Sequence, residues 1–174
     1  MTTPHTPHTP PWLAGPVPGI SANLQPVAHA LLQTVEEAES FTAGFPDDKL
    51  WEGVAGLASV GFHLRHIAGV IDRLFTAARG EAISDAQRAA ARAEGDPAFG
   101  GGSSVAELLQ ALRERVDSAL DQLRATPDAE LAETREVGAR KLPATALGLL
   151  FHAADHAQRH TGQLLVTAKV LQQA

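Results

Sequence analysis

Apolar residues recur at intervals of three and four along four long segments of the chain, which is the period of one buried face of an α-helix. In the second segment, Val60, Leu64, Ile67 and Ile71 form such a stripe. The pattern predicts long helices over residues 23–43, from between residues 57 and 59 to residue 80, over 104–125 and over 143–172, and a short, mostly polar helix over 84–94.

Local signals support the helix boundaries. Ser84 with Gln87, and Ser104 with Glu107, have the spacing of a capping box. No segment alternates β-branched and polar residues as a strand does, so no sheet is expected and residues 126–142 are interpreted as a connection. Four long amphipathic helices predict an all-α fold, a four-helix bundle, whose topology the long connection before residue 104 leaves open.

The first 19 residues differ from the rest because they carry six of the 11 prolines. Proline fixes φ and removes a backbone donor, so residues 1–19 are expected to form an extended arm before a single domain over residues 20–174. His5 and His8 lie in this arm and are not expected to hold a ligand. The run Gly100–Gly102 is expected to be a flexible joint.

Charge and composition exclude several kinds of function. The net charge is −6 and aromatic residues are few, which makes the chain a poor candidate for binding nucleic acid. The absence of cysteine excludes disulfides, thiolate metal sites and a cysteine nucleophile. No run approaches the roughly 18 apolar residues that span a membrane, and the N-terminus lacks the features of a signal peptide. A cytoplasmic protein is therefore expected.

Histidine is the abundant chemical group, with eight residues. His152, His156 and His160 follow at intervals of four on the predicted fourth helix, and the last two lie about 40° apart on its inward face. Two imidazoles at positions i and i+4 can bind one metal ion. The second helix adds His63 and His66 near its buried side, and side chains from facing helices of a bundle can meet at one ion.

The histidine pattern alone leaves two interpretations open. Three imidazoles would leave an open coordination position, which is typical of catalytic metal sites. The alternative is that these histidines are ordinary core residues, although five buried imidazoles without an ion would leave many ring nitrogens unsatisfied. Gln163, one turn beyond His160, could form a hydrogen bond to a ligand or to a metal-bound water. Asp155 is adjacent in sequence but lies about 100° away from His156, so no obvious carboxylate base adjoins the pair on this helix, and a base would have to come from another segment.

Two segments resemble proteins of the DinB/YfiT-like family. The stretch SVGFHLRHIAG over residues 59–69, followed by Asp72-Arg73-Leu74, is similar to the second helix of that family. The stretch from His156 to Gln163 resembles its fourth-helix motif, HxxxHxGQ. The resemblance covers nearly the whole chain beyond the arm. It implies a DinB-like four-helix bundle with long crossover connections, usually a homodimer, and one divalent ion, nickel or zinc, held by three histidines.

The family pattern implies particular residues as ligands. Periodicity alone would favour His63, which lies nearer the centre of the apolar stripe, but the family's ligand comes directly before Ile67-Ala68. The implied metal ligands are therefore His66, His156 and His160. The residues expected to line the pocket or to contact the ligands are His63, His152 and Gln163.

The resemblance also implies candidate functions. Relatives include metal-dependent S-transferases that use low-molecular-weight thiols such as mycothiol or bacillithiol, and others are described as metal-dependent hydrolases. A divalent ion can support both reactions, because it lowers the pKa of a bound thiol or of bound water. A third alternative is a non-catalytic, dimeric stress or binding protein with a structural metal. The expected partner is a small-molecule substrate, neither nucleic acid nor a membrane, and the catalytic residues stay unassigned.

Overall fold

Five helices make up most of the structure, a computed structural model that describes residues 9–99, 104–138 and 140–173. They are α1 (Gln25–Phe41), α2 (Val60–Ala78), α3 (Asp85–Arg92), α4 (Val105–Ala125) and α5 (Ala146–Gln173). Every predicted helix is present, with ends within three residues of those expected, and the all-α class is confirmed. None of the described helices is long and apolar enough to cross a lipid bilayer.

The four long helices pack as a bundle in which neighbours along the chain are not always neighbours in space. α2 packs against α4 and α5, and α1 packs against the same two helices. α1 and α2 therefore lie diagonally opposite each other, as do α4 and α5. The connections over residues 42–59 and 126–145 join diagonal helices, whereas the connection that carries α3 joins adjacent ones. Each long helix contributes a fully buried leucine to the core: Leu31, Leu64, Leu112 and Leu164.

Serine residues cap three of the helices. The hydroxyl of Ser59 accepts a hydrogen bond from the backbone N–H of Phe62, so α2 starts about one turn before His63 and about two turns before His66. Ser104 accepts the N–H of Glu107 in the same way. Ser84 and Gln87 form the predicted capping box at α3, with both reciprocal hydrogen bonds present. Caps of this kind contribute about 1 kcal/mol each, and they fix where a helix begins.

The expectation that the chain contains no sheet was wrong. Strands β1 (Thr134–Val137) and β2 (Leu142–Thr145) form an antiparallel hairpin. Each strand has only four residues, which are mostly exposed, so the apolar alternation that identifies a strand is missing from the sequence. Pro143 was expected in the first turn of the last helix but lies in β2, and α5 starts three residues later, at Ala146.

The hairpin ties the start of α5 to the end of α2. The Nε of Arg135 donates a hydrogen bond of 2.8 Å to the carbonyl of Ala78, the last residue of α2. The backbone N–H of Ala146 donates to the carbonyl of Glu133 at 3.0 Å. The lengthwise position of α5 against α2 is therefore fixed before α5 reaches its histidines.

The segment before α1 packs on that helix. Pro11 is buried within a short 3-10 helix, Pro11–Leu13. The side chain of Gln25 donates to the carbonyls of Val17 and Ile20 and accepts a hydrogen bond from the N–H of Val17. The boundary at residue 19 between an arm and the bundle stays a prediction. His5, His8 and the predicted joint at Gly100–Gly102 lie outside the described residues.

Candidate metal centre

Three histidines from two helices converge at the seam between α2 and α5. His66 belongs to α2, and His156 and His160 belong to α5. Each offers one ring nitrogen, and the three nitrogens lie within 4.8 Å of one another. Nε2 of His66 lies 3.0 Å from Nε2 of His156. The structure thus brings together the three residues that the family resemblance implied as ligands.

Helix geometry explains this convergence. His156 and His160 are one turn apart on α5, so their side chains leave the same face, and their ring centroids lie 4.6 Å apart. Across the seam, the ring centroid of His66 lies 4.3 Å from that of His160. The three histidines are partly exposed, whereas Ile67 and Ala157 beside them are buried. The cluster therefore lies at the edge of the core, where a ligand can reach it from solvent.

His63 is a fourth histidine in contact with the cluster. It is only 5% exposed, which agrees with its place at the centre of the apolar stripe of α2. Its Nδ1 lies 3.2 Å from Nδ1 of His160. Phe62 stacks on the ring of His66, with centroids 5.1 Å apart and planes at 12°. His63 therefore supports one member of the triad from within the core, and Phe62 supports another.

Burial keeps most of the histidine cluster neutral at pH 7. It lowers the pKa of His63 and that of His160 from 6.5 to about 4, and the neighbouring His66 adds to both shifts. Burial, followed by the effect of His66, also lowers the pKa of His156. A neutral imidazole carries one nitrogen with a free lone pair, which is the form that binds a metal ion.

A buried carboxylate that the sequence interpretation missed contacts the cluster. Glu94 follows α3 and is 6% exposed. Its Oε2 accepts a hydrogen bond from Nδ1 of His66 at 2.6 Å, and its Oε1 accepts one from Nη1 of Arg73 at 2.7 Å. Burial alone would raise the pKa of Glu94, but the hydrogen bonds from His66 and Arg73 hold it below its ordinary value. The carboxylate therefore stays charged at pH 7.

A glycine on α2 makes room for this carboxylate. A Cβ atom on Gly69 would lie 2.6 Å from Oε1 of Glu94 and 2.8 Å from Nη1 of Arg73, which is closer than a real Cβ comes to either. Arg65 also holds the segment 93–96 through its Nη1, which donates to backbone carbonyls there, the shortest bond being 2.6 Å. Arg65, Gly69 and Arg73 all belong to the part of α2 that resembles the family. The sequence therefore singled out these residues, but only the fold shows that they surround Glu94.

Two residues that were expected near the pocket lie on the exposed side of α5. The side chain of His152 is half exposed, its Nδ1 lies 3.9 Å from Oδ2 of Asp155, and its ring centroid lies 5.5 Å from that of His156. The side chain of Gln163 is exposed and makes no hydrogen bond with the described part of the chain. The structure therefore keeps His152 beside the cluster, and the role of Gln163 stays a prediction.

The three imidazoles fit a divalent ion that prefers nitrogen ligands, such as zinc or nickel. Nε2 of His66 faces Nε2 of His156, and two ring nitrogens at this distance share one proton unless a cation takes its place. Nδ1 of His156 is buried without a hydrogen-bond partner, so the described protein groups leave this ring incompletely satisfied. Three protein nitrogens also leave coordination positions free for a further ligand.

Together these features define a class of protein, a four-helix bundle with a candidate three-imidazole metal centre at the seam of two helices. The family model of the DinB superfamily matches residues 7–164. The chain therefore belongs to the DinB superfamily, whose metal-binding character agrees with the histidine cluster. A comparison with curated proteins found no match.

Proposed function

We propose that the protein is a metal-dependent enzyme that transfers a low-molecular-weight thiol to a small electrophile. The observation that supports the proposal is the convergence of His66, His156 and His160, with ring nitrogens within 4.8 Å of one another. In the proposal these residues hold one divalent ion, nickel or zinc. Such an ion lowers the pKa of a thiol or a water molecule that binds to it.

The sulfur in this reaction comes from a cosubstrate. The chain contains no cysteine, so none of its own side chains can act as a thiolate nucleophile. A free thiol has a pKa of about 8.5 and is mostly protonated at pH 7. The site must therefore favour loss of the thiol proton, and its neutral imidazoles leave the charge of a bound cation available for that purpose.

The carboxylates near the cluster favour a thiol over water as the nucleophile. Hydrolysis usually needs a side-chain base that takes a proton from water. Glu94 is a poor base, because both its oxygens accept hydrogen bonds that lower its pKa. Asp155 accepts a hydrogen bond from Arg159 at 3.3 Å. A thiol, which is far more acidic than water, depends less on such a base.

A thiol-transfer assay with 1-chloro-2,4-dinitrobenzene tests the reaction class. The thiol sulfur forms a bond to the ring carbon, the carbon–chlorine bond breaks, chloride leaves with the electron pair and the thiol proton goes to solvent. We expect product with at least one of cysteine, glutathione, mycothiol and bacillithiol, at a rate that falls to the uncatalysed rate after metal removal. A rate with every thiol that equals the uncatalysed rate would overturn the thiol transfer.

Two matched outcomes separate the proposal from its alternatives. Metal-dependent release of p-nitrophenol from p-nitrophenyl acetate without any thiol, together with no thiol transfer to 1-chloro-2,4-dinitrobenzene, would identify a hydrolase instead. Loss of the folded state on metal removal, with no turnover of either substrate, would identify a structural metal. Both outcomes contradict thiol transfer, and neither contradicts the metal site.

Metal content tests the site itself. We expect His156→Ala and His160→Ala, purified in parallel with the parent protein, to lose at least nine-tenths of the bound nickel or zinc. His29→Ala is the control, because His29 lies on α1 and contacts the carbonyl of Gly15. Equal metal content in all four proteins would refute the site assignment.

A further inference from the structure

We propose that Glu94 is a positioning residue of the metal centre, which holds the ring proton of His66 on Nδ1 and so keeps Nε2 free for the ion. The inference rests on the metal site of the proposed function but not on its thiol chemistry. Glu94 belongs to the connection between α3 and α4. A segment outside the two histidine-bearing helices therefore contributes a residue to the site.

The hydrogen bond between Glu94 and His66 assigns the proton. A charged carboxylate can only accept, so its contact of 2.6 Å with Nδ1 of His66 requires an N–H at that nitrogen. In the form of the ring that can bind a metal ion, the lone pair is then on Nε2, which lies 3.0 Å from Nε2 of His156. Carboxylates in this position fix the orientation of a metal-binding histidine and raise its basicity.

Arg73 and Gly69 set the orientation of the Glu94 carboxylate toward His66. A carboxylate that is 6% exposed needs a charged partner, and Arg73 supplies it on the oxygen that His66 does not use. Because Gly69 has no side chain, the Glu94 carboxylate and the Arg73 guanidinium can meet beside the backbone of α2 at this position. Arg73 therefore fixes which carboxylate oxygen faces the histidine.

The same contacts couple the metal site to the connection after α3. His66 and Arg73 hold Glu94, and Arg65 holds neighbouring carbonyls of the segment 93–96. If docking of this segment raises the affinity for metal, then bound metal must stabilise the docked segment by the same factor. Zinc is therefore expected to slow amide hydrogen exchange in residues 93–96 at a metal concentration that saturates the site.

Glu94→Gln is the decisive substitution, because it keeps the shape of the side chain. The amide has one oxygen, and Arg73 can only donate, so the oxygen turns to Arg73 and the NH₂ group turns to His66. The NH₂ group donates to Nδ1, which moves the ring proton to Nε2 and blocks the lone pair needed for the ion. We expect zinc affinity, measured by competition with a chromophoric chelator, to fall by about 10–100-fold.

Glu81→Gln is the matched control. Glu81 is an exposed carboxylate that pairs with Arg79 in the connection before α3, far from any contact with the histidines. We expect its zinc affinity to equal that of the parent protein. A Glu94→Gln protein that is folded by circular dichroism and binds zinc within twofold of the Glu81→Gln protein would overturn the proposal.

A measurement on the unsubstituted protein protects the test against a variant that fails to fold. ¹⁵N NMR of the histidine rings in chelator-treated protein should show His66 with its proton on Nδ1, and a proton on Nε2 would overturn the proposal. If His156→Ala loses zinc while Glu94→Gln keeps it, the positioning role fails and the metal site stands. If neither loses zinc, the site itself fails.

Discussion

The Nδ1 atoms of His63 and His160 lie 3.2 Å apart across the seam between α2 and α5. One of the two rings must donate a proton to the other at this contact, because two lone pairs would repel. If His160 offers Nε2 to an ion, its Nδ1 carries the proton and His63 accepts it. His63 would then hold the ring proton of His160 on Nδ1, as the carboxylate of Glu94 holds the ring proton of His66 on Nδ1.

Replacing His63 should weaken metal binding without removing any ligand. In His63→Leu, Nδ1–H of His160 loses its acceptor in a buried position, so we expect zinc affinity to fall by about tenfold. His63→Gln, whose amide oxygen can accept the same proton, should retain more of the affinity than His63→Leu. Chelator competition measures both values, with His29→Leu as the control. Equal affinity in His63→Leu and His29→Leu would contradict the role of this contact.

Acid should destabilise the metal-free protein in a defined pH window. An unfolded histidine binds a proton below about pH 6.5, whereas burial holds the folded pKa of His63 at about 4. The unfolded chain therefore binds more protons between these values, and the free energy of unfolding falls as pH falls from 6.5 to 4. The difference for His63 alone is about 3 kcal/mol across the full window.

Urea denaturation in the presence of a chelator, between pH 7.5 and pH 5, measures this effect before most carboxylates titrate. His63→Leu removes one of the groups with a lowered pKa, so its stability should depend less steeply on pH than that of the parent protein. The same free energy of unfolding at pH 7 and at pH 5 in the parent protein would contradict the buried, neutral state of the cluster.

Two helical glycines provide a matched pair of substitutions. A Cβ atom on Gly69 would collide with Glu94 and Arg73, whereas a Cβ atom on Gly162 in α5 would meet no atom within 4 Å. Gly69→Ala should therefore lower stability by about 1–3 kcal/mol and weaken zinc binding. Gly162→Ala should stabilise the protein by about 0.5–1 kcal/mol, since alanine favours the helix. Urea denaturation that ranks the two variants in the opposite order would refute the packing at Gly69.

Metal removal should lower the melting temperature through mass action. Zinc at 100 times its dissociation constant stabilises a protein that binds it only when folded by about 2.7 kcal/mol. For a domain of this size that corresponds to a rise of about 5–10 °C. Differential scanning calorimetry with and without zinc should show this shift in the parent protein and no shift in His156→Ala. A shift of equal size in the variant would place zinc elsewhere.

The helices could be predicted from the sequence because each has an apolar face that repeats over several turns. The stripe that contains Leu64, Ile67 and Ile71 is of this kind, and all three side chains are fully buried in α2. The hairpin has no such apolar face, since its strands are short and mostly exposed. It is held by backbone pairing and by the hydrogen bond from Arg135 to the carbonyl of Ala78 at the end of α2. The spacing of apolar residues predicts which side chains are buried, and the hairpin buries few side chains.

The candidate site could be predicted only in part, for a related reason. His156 and His160 are adjacent on one helix, so their spacing alone places them together. The choice between His63 and His66 needed the family pattern, because periodicity favours the more buried residue and the cluster lies at the edge of the core. Glu94 is 28 positions from His66 along the chain, in a segment that looked like a solvated connection. Only tertiary packing brings the two together.

The hairpin before α5 has a consequence for the rotational phase of that helix. The backbone N–H groups of Ala146 and Leu147 donate to the carbonyls of Glu133 and Leu131, just before β1, and so anchor the start of α5. His156 follows about 15 Å further along the axis. One residue inserted just after Leu147 would turn the rest of the helix by about 100° and carry His156 and His160 away from α2. Residues added within the turn of the hairpin would leave that angle unchanged. The chain can therefore vary in length on one side of this anchor and not on the other.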